Sequence, residues 1–137
     1  MRHRKQNKKL GRSKAHREAL VSMLLTGLIK AMSIKTTLPK AKVARQAADK
    51  LVTLARKDNV AARRLVMSRI QDAEAVSKLF KTIVPIMEGR PGGYTRITKL
   101  GQRPSDGSEM CVLAWVTEKY DPEGKNATAE PVATTQA

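Results

Sequence analysis

The sequence predicts a two-layer α+β domain with helices on one face of a small sheet. Three observations carry this expectation. Apolar residues recur at three- and four-residue intervals from Ser13 to Lys30 and again, in three segments, between Pro39 and Pro85. The β-branched run Ser33-Ile34-Lys35-Thr36-Thr37 separates the first helical stretch from the rest, and Tyr94–Leu100 and Glu109–Val116 read as two strands. At 137 residues the chain has room for one ordinary domain with a modest core. The expected order is α-β-α-α-α-β-β. Residues 1–16 form a basic extended arm, 17–116 the domain, and 117–137 a low-complexity, mobile tail.

Each element has a local reason. Ser13 is a plausible N-cap for the first helix, whose expected stripe is Ala19, Leu20, Met23, Leu24, Leu28 and Ala31. Pro39 suits the first turn of the second helix, where its missing N–H is not needed. Ala44, Ala47, Leu51 and Leu54 supply that helix's apolar stripe. Asp58-Asn59 punctuates the chain, and a third short helix carries Val60, Leu65 and Val66, with Arg63, Arg64 and Arg69 projecting. Asp72 caps a fourth, with Val76, Leu79, Phe80 and Ile83 on its apolar face, and Pro85 is expected to end it. Gly89, Pro91, Gly92 and Gly93 make a loop, and Pro104, Asp106 and Gly107 mark the connection between the two strands. The last strand, Met110 to Val116, is apolar on both faces. One face is expected to pack on the helices and the other to be covered or to meet a partner.

Charge separates the two halves of the chain. The whole carries 27 Lys and Arg against 12 Asp and Glu, a net of +15. Residues 1–69 hold 19 basic and 3 acidic side chains, a surplus of 16, whereas 70–137 hold 8 and 9. Such concentration is expected of a nucleic-acid-binding surface, since self-repulsion is relieved by a polyanion. The arm has Arg2, Arg4, Lys5, Lys8, Lys9, Arg12, Lys14 and Arg17 with no acid before Glu18 and almost no apolar bulk. It cannot fold alone and is expected to order on a polyanion, the alternative being a merely solvated tail.

Catalytic furniture is lacking. His3 and His16 lie among cations with no neighbouring carboxylate or cysteine, which disfavours a metal site; stacking on a base or bonding to a phosphate suits them better. No nucleophile–base set assembles, Gly89-Arg90-Pro91-Gly92-Gly93 matches no nucleotide loop, and no cofactor is expected. Cys111 is the only cysteine, so no intramolecular disulfide forms, and in an apolar strand it reads as a small core residue. The basic start of the chain and the lack of a bilayer-length apolar run make a cytoplasmic location the expectation, with no membrane and no small-molecule substrate. Lys35-Thr36-Thr37-Leu38-Pro39-Lys40-Ala41-Lys42 offers hydroxyls, a helix start and three lysines to a phosphate, or equally strand formers and a solvated face. Tyr94 reads as a core ring and Arg96 as a phosphate contact; aromatics are otherwise too scarce for a stacking platform.

The ordered motifs resemble one family, the bacterial large-subunit ribosomal protein L17. They are Met1-Arg2-His3, Leu10-Gly11-Arg12, His16-Arg17, Ile34 to Lys42, Ala62-Arg63-Arg64-Leu65, Lys78-Leu79-Phe80 and Gly92-Gly93-Tyr94-Thr95-Arg96-Ile97-Thr98-Lys99-Leu100. The resemblance covers residues 1 to about 116. It implies an α+β protein that scaffolds large-subunit ribosomal RNA near the exit-tunnel side, beside neighbouring ribosomal proteins, without catalysis. Carried over by position, Arg2, His3, Arg4, Lys8, Arg12, His16 and Arg17 would thread among RNA segments, with Lys5, Lys9 and Lys14 beside them. Lys35, Thr36, Thr37, Lys40, Lys42, Arg45, Arg63, Arg64 and Arg96 would make further contacts. The chain departs from the family at Ser22-Met23, Ala31-Met32-Ser33 and Ile86-Met87, where charged or polar residues are common.

Two other functions compete. A nucleoid-associated, general nucleic-acid-binding protein would need only the charge, yet no helix-turn-helix or zinc finger is recognisable. A small RNA-modifying enzyme would need a base, nucleophile or cofactor loop that the sequence does not show. If the arm neutralises about six phosphates, deleting residues 2–12 flattens the log–log salt dependence of RNA affinity by about four or more. An unchanged slope in that titration would show the arm to be merely solvated.

Overall fold

Helix α1 (Lys14–Ala31) begins after the extended Ser13 and ends at Met32, whose left-handed backbone (φ 65°) turns the chain into strand β1 (Ser33–Thr37). A non-glycine residue in that conformation costs about 1–2 kcal/mol. Tertiary contacts hold it. The Met32 carbonyl accepts from the Trp115 N–H at 3.1 Å, and the Met32 side chain packs against the core. The last carbonyls of a helix have no partner within it; here the Trp115 indole donates to Leu28 O at 3.1 Å and Lys78 Nζ to Lys30 O at 2.7 Å. The computed structural model describes residues 8–118; expectations for residues 1–7 and 119–137 lie outside the described residues.

Helix α2 (Leu38–Ala55) follows β1 directly, with Pro39 in its first turn. Leu38, Ala41, Ala44, Ala48, Leu51, Val52 and Ala55 are buried along one stripe. Helix α3 (Val60–Arg69) is capped by Asn59, whose side chain accepts from the Ala62 N–H at 2.6 Å. Asp72 caps α4 (Ala73–Lys78) in the same way, accepting from the Ala75 N–H at 3.0 Å, as the sequence predicts. The chain then widens into a π turn (Leu79–Ile83) and one further helical turn, α5 (Val84–Ile86). Pro85 therefore does not end the helix. A proline clashes with the carbonyl four residues earlier, and the wider π turn just before it provides the room to continue to Ile86.

Strands β2 (Thr95–Gln102) and β3 (Glu109–Trp115) complete an antiparallel sheet ordered β1-β3-β2. The central place of β3 accounts for its apolar character on both faces. Cys111, Leu113 and Trp115 are buried, whereas Met110, Val112 and Ala114 are half-buried on the other side. Residues directly opposite on neighbouring strands share a face. Thus Ile34 and Ile97 flank Leu113 on the helix side, and Lys35 and Thr98 flank Val112 on the outer side. A bulge between Lys99 and Gly101 (φ 96°) leaves Leu100 exposed. The architecture is α+β: α1 and α2 cover one face of the sheet, and α3, α4 and the π turn pack on the helices.

The helix faces differ from those the spacing predicts. In α1 the buried residues are Leu25, Leu28 and Ile29, while Met23 is 74% exposed. The run Val21-Ser22-Met23-Leu24-Leu25 puts apolar groups on every side, so periodicity cannot choose the inward one. In α2 Ala44 and Leu51 are buried but Ala47 and Leu54 only partly, because the stripe is centred on Ala41, Ala48 and Ala55. In α3 Ala62 and Val66 are the buried pair, and Val60, Leu65 and Met67 are exposed. Lys30 Nζ sits 2.6 Å from Asp72 and 3.6 Å from Glu74, tying the end of α1 to the start of α4. The hydrogen bond from Lys30 holds the Asp72 carboxyl below its usual range, and Asp72 raises Lys30 in turn.

Leu28→Ala is expected to destabilise the fold by about 2–5 kcal/mol through a core cavity. Met23→Ala changes it by no more than about 0.5 kcal/mol. Urea unfolding followed by circular dichroism compares them, and equal costs would show that α1 presents another face. Folding depresses the Asp72 pKa, so its contribution is complete above the ordinary carboxylate range and fades as pH falls through the depressed value. The stability difference between the native chain and Asp72→Asn, which keeps the cap, is therefore largest near neutral pH and shrinks in acid. A difference that grows on acidification contradicts this assignment.

Candidate nucleic-acid interface

Between the N-terminal halves of α1 and α2 and the end of α3 runs an open groove of about 1030 Å³. The Ser22 hydroxyl donates to Arg69 O at 2.8 Å and fixes the α3 end against α1. The buried stripe of α2 sets the other wall, because its inward alanines turn Lys42, Val43, Gln46 and Ala47 toward the groove. Apolar Val21, Leu25, Val43 and Ala47 are buried or half-buried at its base. Lys8, Lys14, Arg17, Lys42 and Arg69 surround them, with Glu18 as the single lining acid. Among the described residues none of these five cations forms an ion pair. Five unneutralised cations around one recess leave a positive potential that an anion relieves.

The arm reaches this groove through a tight turn. Leu10 (φ 54°) and Gly11 (φ 63°) are both left-handed, the Arg12 N–H donates to Lys9 O at 3.1 Å, and Arg12 Nη1 donates to Leu10 O. Arg17 Nη1 donates in turn to Arg12 O at 3.3 Å, fastening the turn to α1. Glycine adopts positive φ without the side-chain penalty that Leu10 bears beside it.

Residues 20–116 match the family described as Ribosomal protein L17. The chain belongs to the ribosomal protein L17 family. It is also similar to a relative named Large ribosomal subunit protein bL17, from Methylacidiphilum infernorum (isolate V4). The two are 48% identical over 127 residues, 93% of this chain and 97% of the relative.

Within this L17-family fold the sequence-derived candidates fall into distinct groups. Lys8, Lys14, Arg17 and Lys42 line the groove. Lys9 and His16 are exposed beside it in sequence, and Arg12 is half-buried in the turn. Arg2, His3, Arg4 and Lys5 lie outside the described residues. Lys35 stands on the outer face of the sheet, as does Arg96 on the far side of β3. Thr36 shares the buried face of Cys111, and its carbonyl is 3.5 Å from Cys111 Sγ. Thr37 holds the N-cap position of α2 without a side-chain cap bond. Lys40 is half-buried and Arg45 exposed on α2.

The remaining arginines differ in what already occupies them. Arg63 pairs with Asp58 at 2.8 Å and lies over the Phe80 ring at 5.0 Å, whereas Arg64, its neighbour, is exposed without an ion pair among the described residues. Arg96 spans Glu118 at 3.2 and 3.3 Å. Tyr94 is a core ring, 2% exposed, whose hydroxyl accepts from Arg56 Nη1 at 3.1 Å. Arg69 was not among the sequence-derived contacts. Its place follows from the packing of α3 on α1, which no local pattern records.

Other chemistry is sparse. Burial raises the Cys111 thiol, which suits a core residue and not a nucleophile. Burial also raises Asp49, against the opposing charge of Arg45. Among the described residues no three His, Cys, Asp or Glu side chains come together to hold a metal, and no helix is long and apolar enough to cross a membrane.

Proposed function

We propose that this chain is a structural constituent of the large ribosomal subunit, scaffolding large-subunit ribosomal RNA near the exit-tunnel side in support of translation. The observation that carries the reading is the set of five cations around the groove that form no ion pair among the described residues, where the basic arm joins the folded domain. Membership of a ribosomal protein family supports it from a separate direction. In this reading the chain has no catalytic role and works on the ribosome in the cytoplasm. The arm residues Arg2, His3, Arg4 and Lys5 add further RNA contacts, and Arg64, Arg45 and Lys35 add peripheral phosphate contacts. Neighbouring large-subunit proteins are its other partners. Phosphate contacts set position and affinity but carry no sequence information. The exposed cations therefore supply the salt-sensitive part of binding.

The full chain is expected to co-sediment with the large subunit through moderate salt. Each phosphate contact contributes about 0.7–0.9 to the salt slope. Replacing Lys14, Arg17 and Lys42 together by alanine is therefore expected to flatten the slope by about two. Lys81→Ala, on the π turn away from the groove, leaves it unchanged. Recovery of the chain only in the free fraction, or a slope indifferent to the triple substitution, would contradict the proposal. Equal affinity for duplex DNA at matched salt would favour a general nucleic-acid-binding protein instead.

A further inference from the structure

We infer that the groove between α1, α2 and α3 receives an unstacked nucleotide of the RNA, base inward, and does not track a duplex backbone. This rests on the proposed RNA-binding function and adds the chemical form of the ligand at one place.

The lining is the first argument. A track for phosphates alone would be cationic throughout. Here the cations Lys8, Lys14, Arg17, Lys42 and Arg69 surround a base of Val21, Leu25, Val43 and Ala47. Phosphate gains nothing from aliphatic surface, whereas the face of a nucleobase loses water on it. Duplex RNA is recognised largely through its shape and its phosphate and ribose groups, whereas bases splayed from loops and bulges enter recesses and stack on aromatic or guanidinium planes. At about 1030 Å³ the open groove slightly exceeds the usual range of small-ligand clefts and has room for one nucleotide.

The polar groups are the second argument. Gln46, from α2, and Gln71, beyond α3, both line the groove, and neither carboxamide makes a hydrogen bond among the described residues. Each offers a donor and an acceptor at once, the pairing that a base edge presents and a phosphate does not. Glu18 points the same way. A carboxylate repels a phosphate but accepts from an exocyclic amine or a ribose hydroxyl. The Ser22 and Ser68 hydroxyls are already committed, to Arg69 O and Leu65 O at 2.8 Å each. Those hydroxyls have spent their one donor and can only accept, so the free donor–acceptor pairs lie with Gln46 and Gln71 and a further acceptor with Glu18, while the cations hold the flanking phosphates.

The test uses the full chain bound to large-subunit ribosomal RNA, probed with a base-alkylating reagent and, separately, with hydroxyl radicals that report the backbone. Three proteins are compared: the native chain, Gln46→Ala combined with Gln71→Ala, and Ala47→Leu, which fills the groove. The glutamines are exposed, so their variant keeps the test open even if the leucine perturbs packing. The expected result is at least one unpaired base protected by the native chain and released in both variants, with the backbone footprint retained. A native footprint on the backbone alone, or base protections that survive both variants, overturns the inference while leaving RNA binding intact. A native chain that leaves no footprint of either kind removes the proposed function itself.

Discussion

The rest of the structure depends on the burial of one face of α2. Ala41, Ala44, Ala48 and Ala55 are fully buried with Leu51 and Val52, between the sheet and the other helices. Small side chains let backbones approach closely, and burying the stripe removes apolar area worth about 25 cal/mol per Å² from water. The consequence is directional. With that face fixed inward, Lys42, Arg45, Gln46 and Lys50 are forced outward, and Lys42 comes to face α1 across the groove. The cationic wall that α2 gives the groove is thus not an independent feature laid over the fold, because it is the complement of the alanine stripe. Lys8, Lys14, Arg17 and Arg69 come to it from the chain before α1, from α1 and from α3.

Cations in this chain divide by what they already hold. Lys30, Arg56, Arg63, Arg96 and Arg103 are engaged with carboxylates, carbonyls or rings, and they fasten helix ends, loops and the hairpin. Exposed ion pairs contribute little individually, since solvent and salt screen them. Their value lies in placing backbone: Lys30 joins α1 to the Asp72 cap, and Arg103 with Asp106 and Ser108 orders the turn between β2 and β3. Among the described residues Lys8, Lys14, Lys42 and Arg69 form no ion pair of this kind. Trp115 makes the fold's other joint, because its indole and its backbone N–H close two carbonyls at the end of α1 and so tie the sheet to the helix that forms the groove wall.

How much of this was legible in the sequence depends on how local its cause is. Strand β1, the Asp72 cap, the apolar face of α4 and its continuation, and the double-sided character of β3 follow from short-range chemistry and were readable. The inward face of α1 was not, since Val21, Met23, Leu24 and Leu25 surround the helix axis and only contact with β1, β3 and α2 selects among them. The effect of Pro85 is not legible locally, because it depends on the π turn before it. Lys8, Lys14, Arg17 and Lys42 were readable as cations, but their convergence was not. Arg69 reads only as a projecting cation, because its place beside α1 is set by the Ser22 hydrogen bond and the packing of α3, and Gln46 and Gln71 fit no charge pattern that would single them out.

The most direct measurement is a map of the assembled large subunit containing this chain, resolved well enough to place phosphates. It is predicted to show ribosomal RNA seated in the groove, with phosphates in hydrogen-bonding reach of Lys14, Arg17, Lys42 and Arg69. A groove filled by another protein or facing solvent, with the RNA held elsewhere on the chain, would contradict the account.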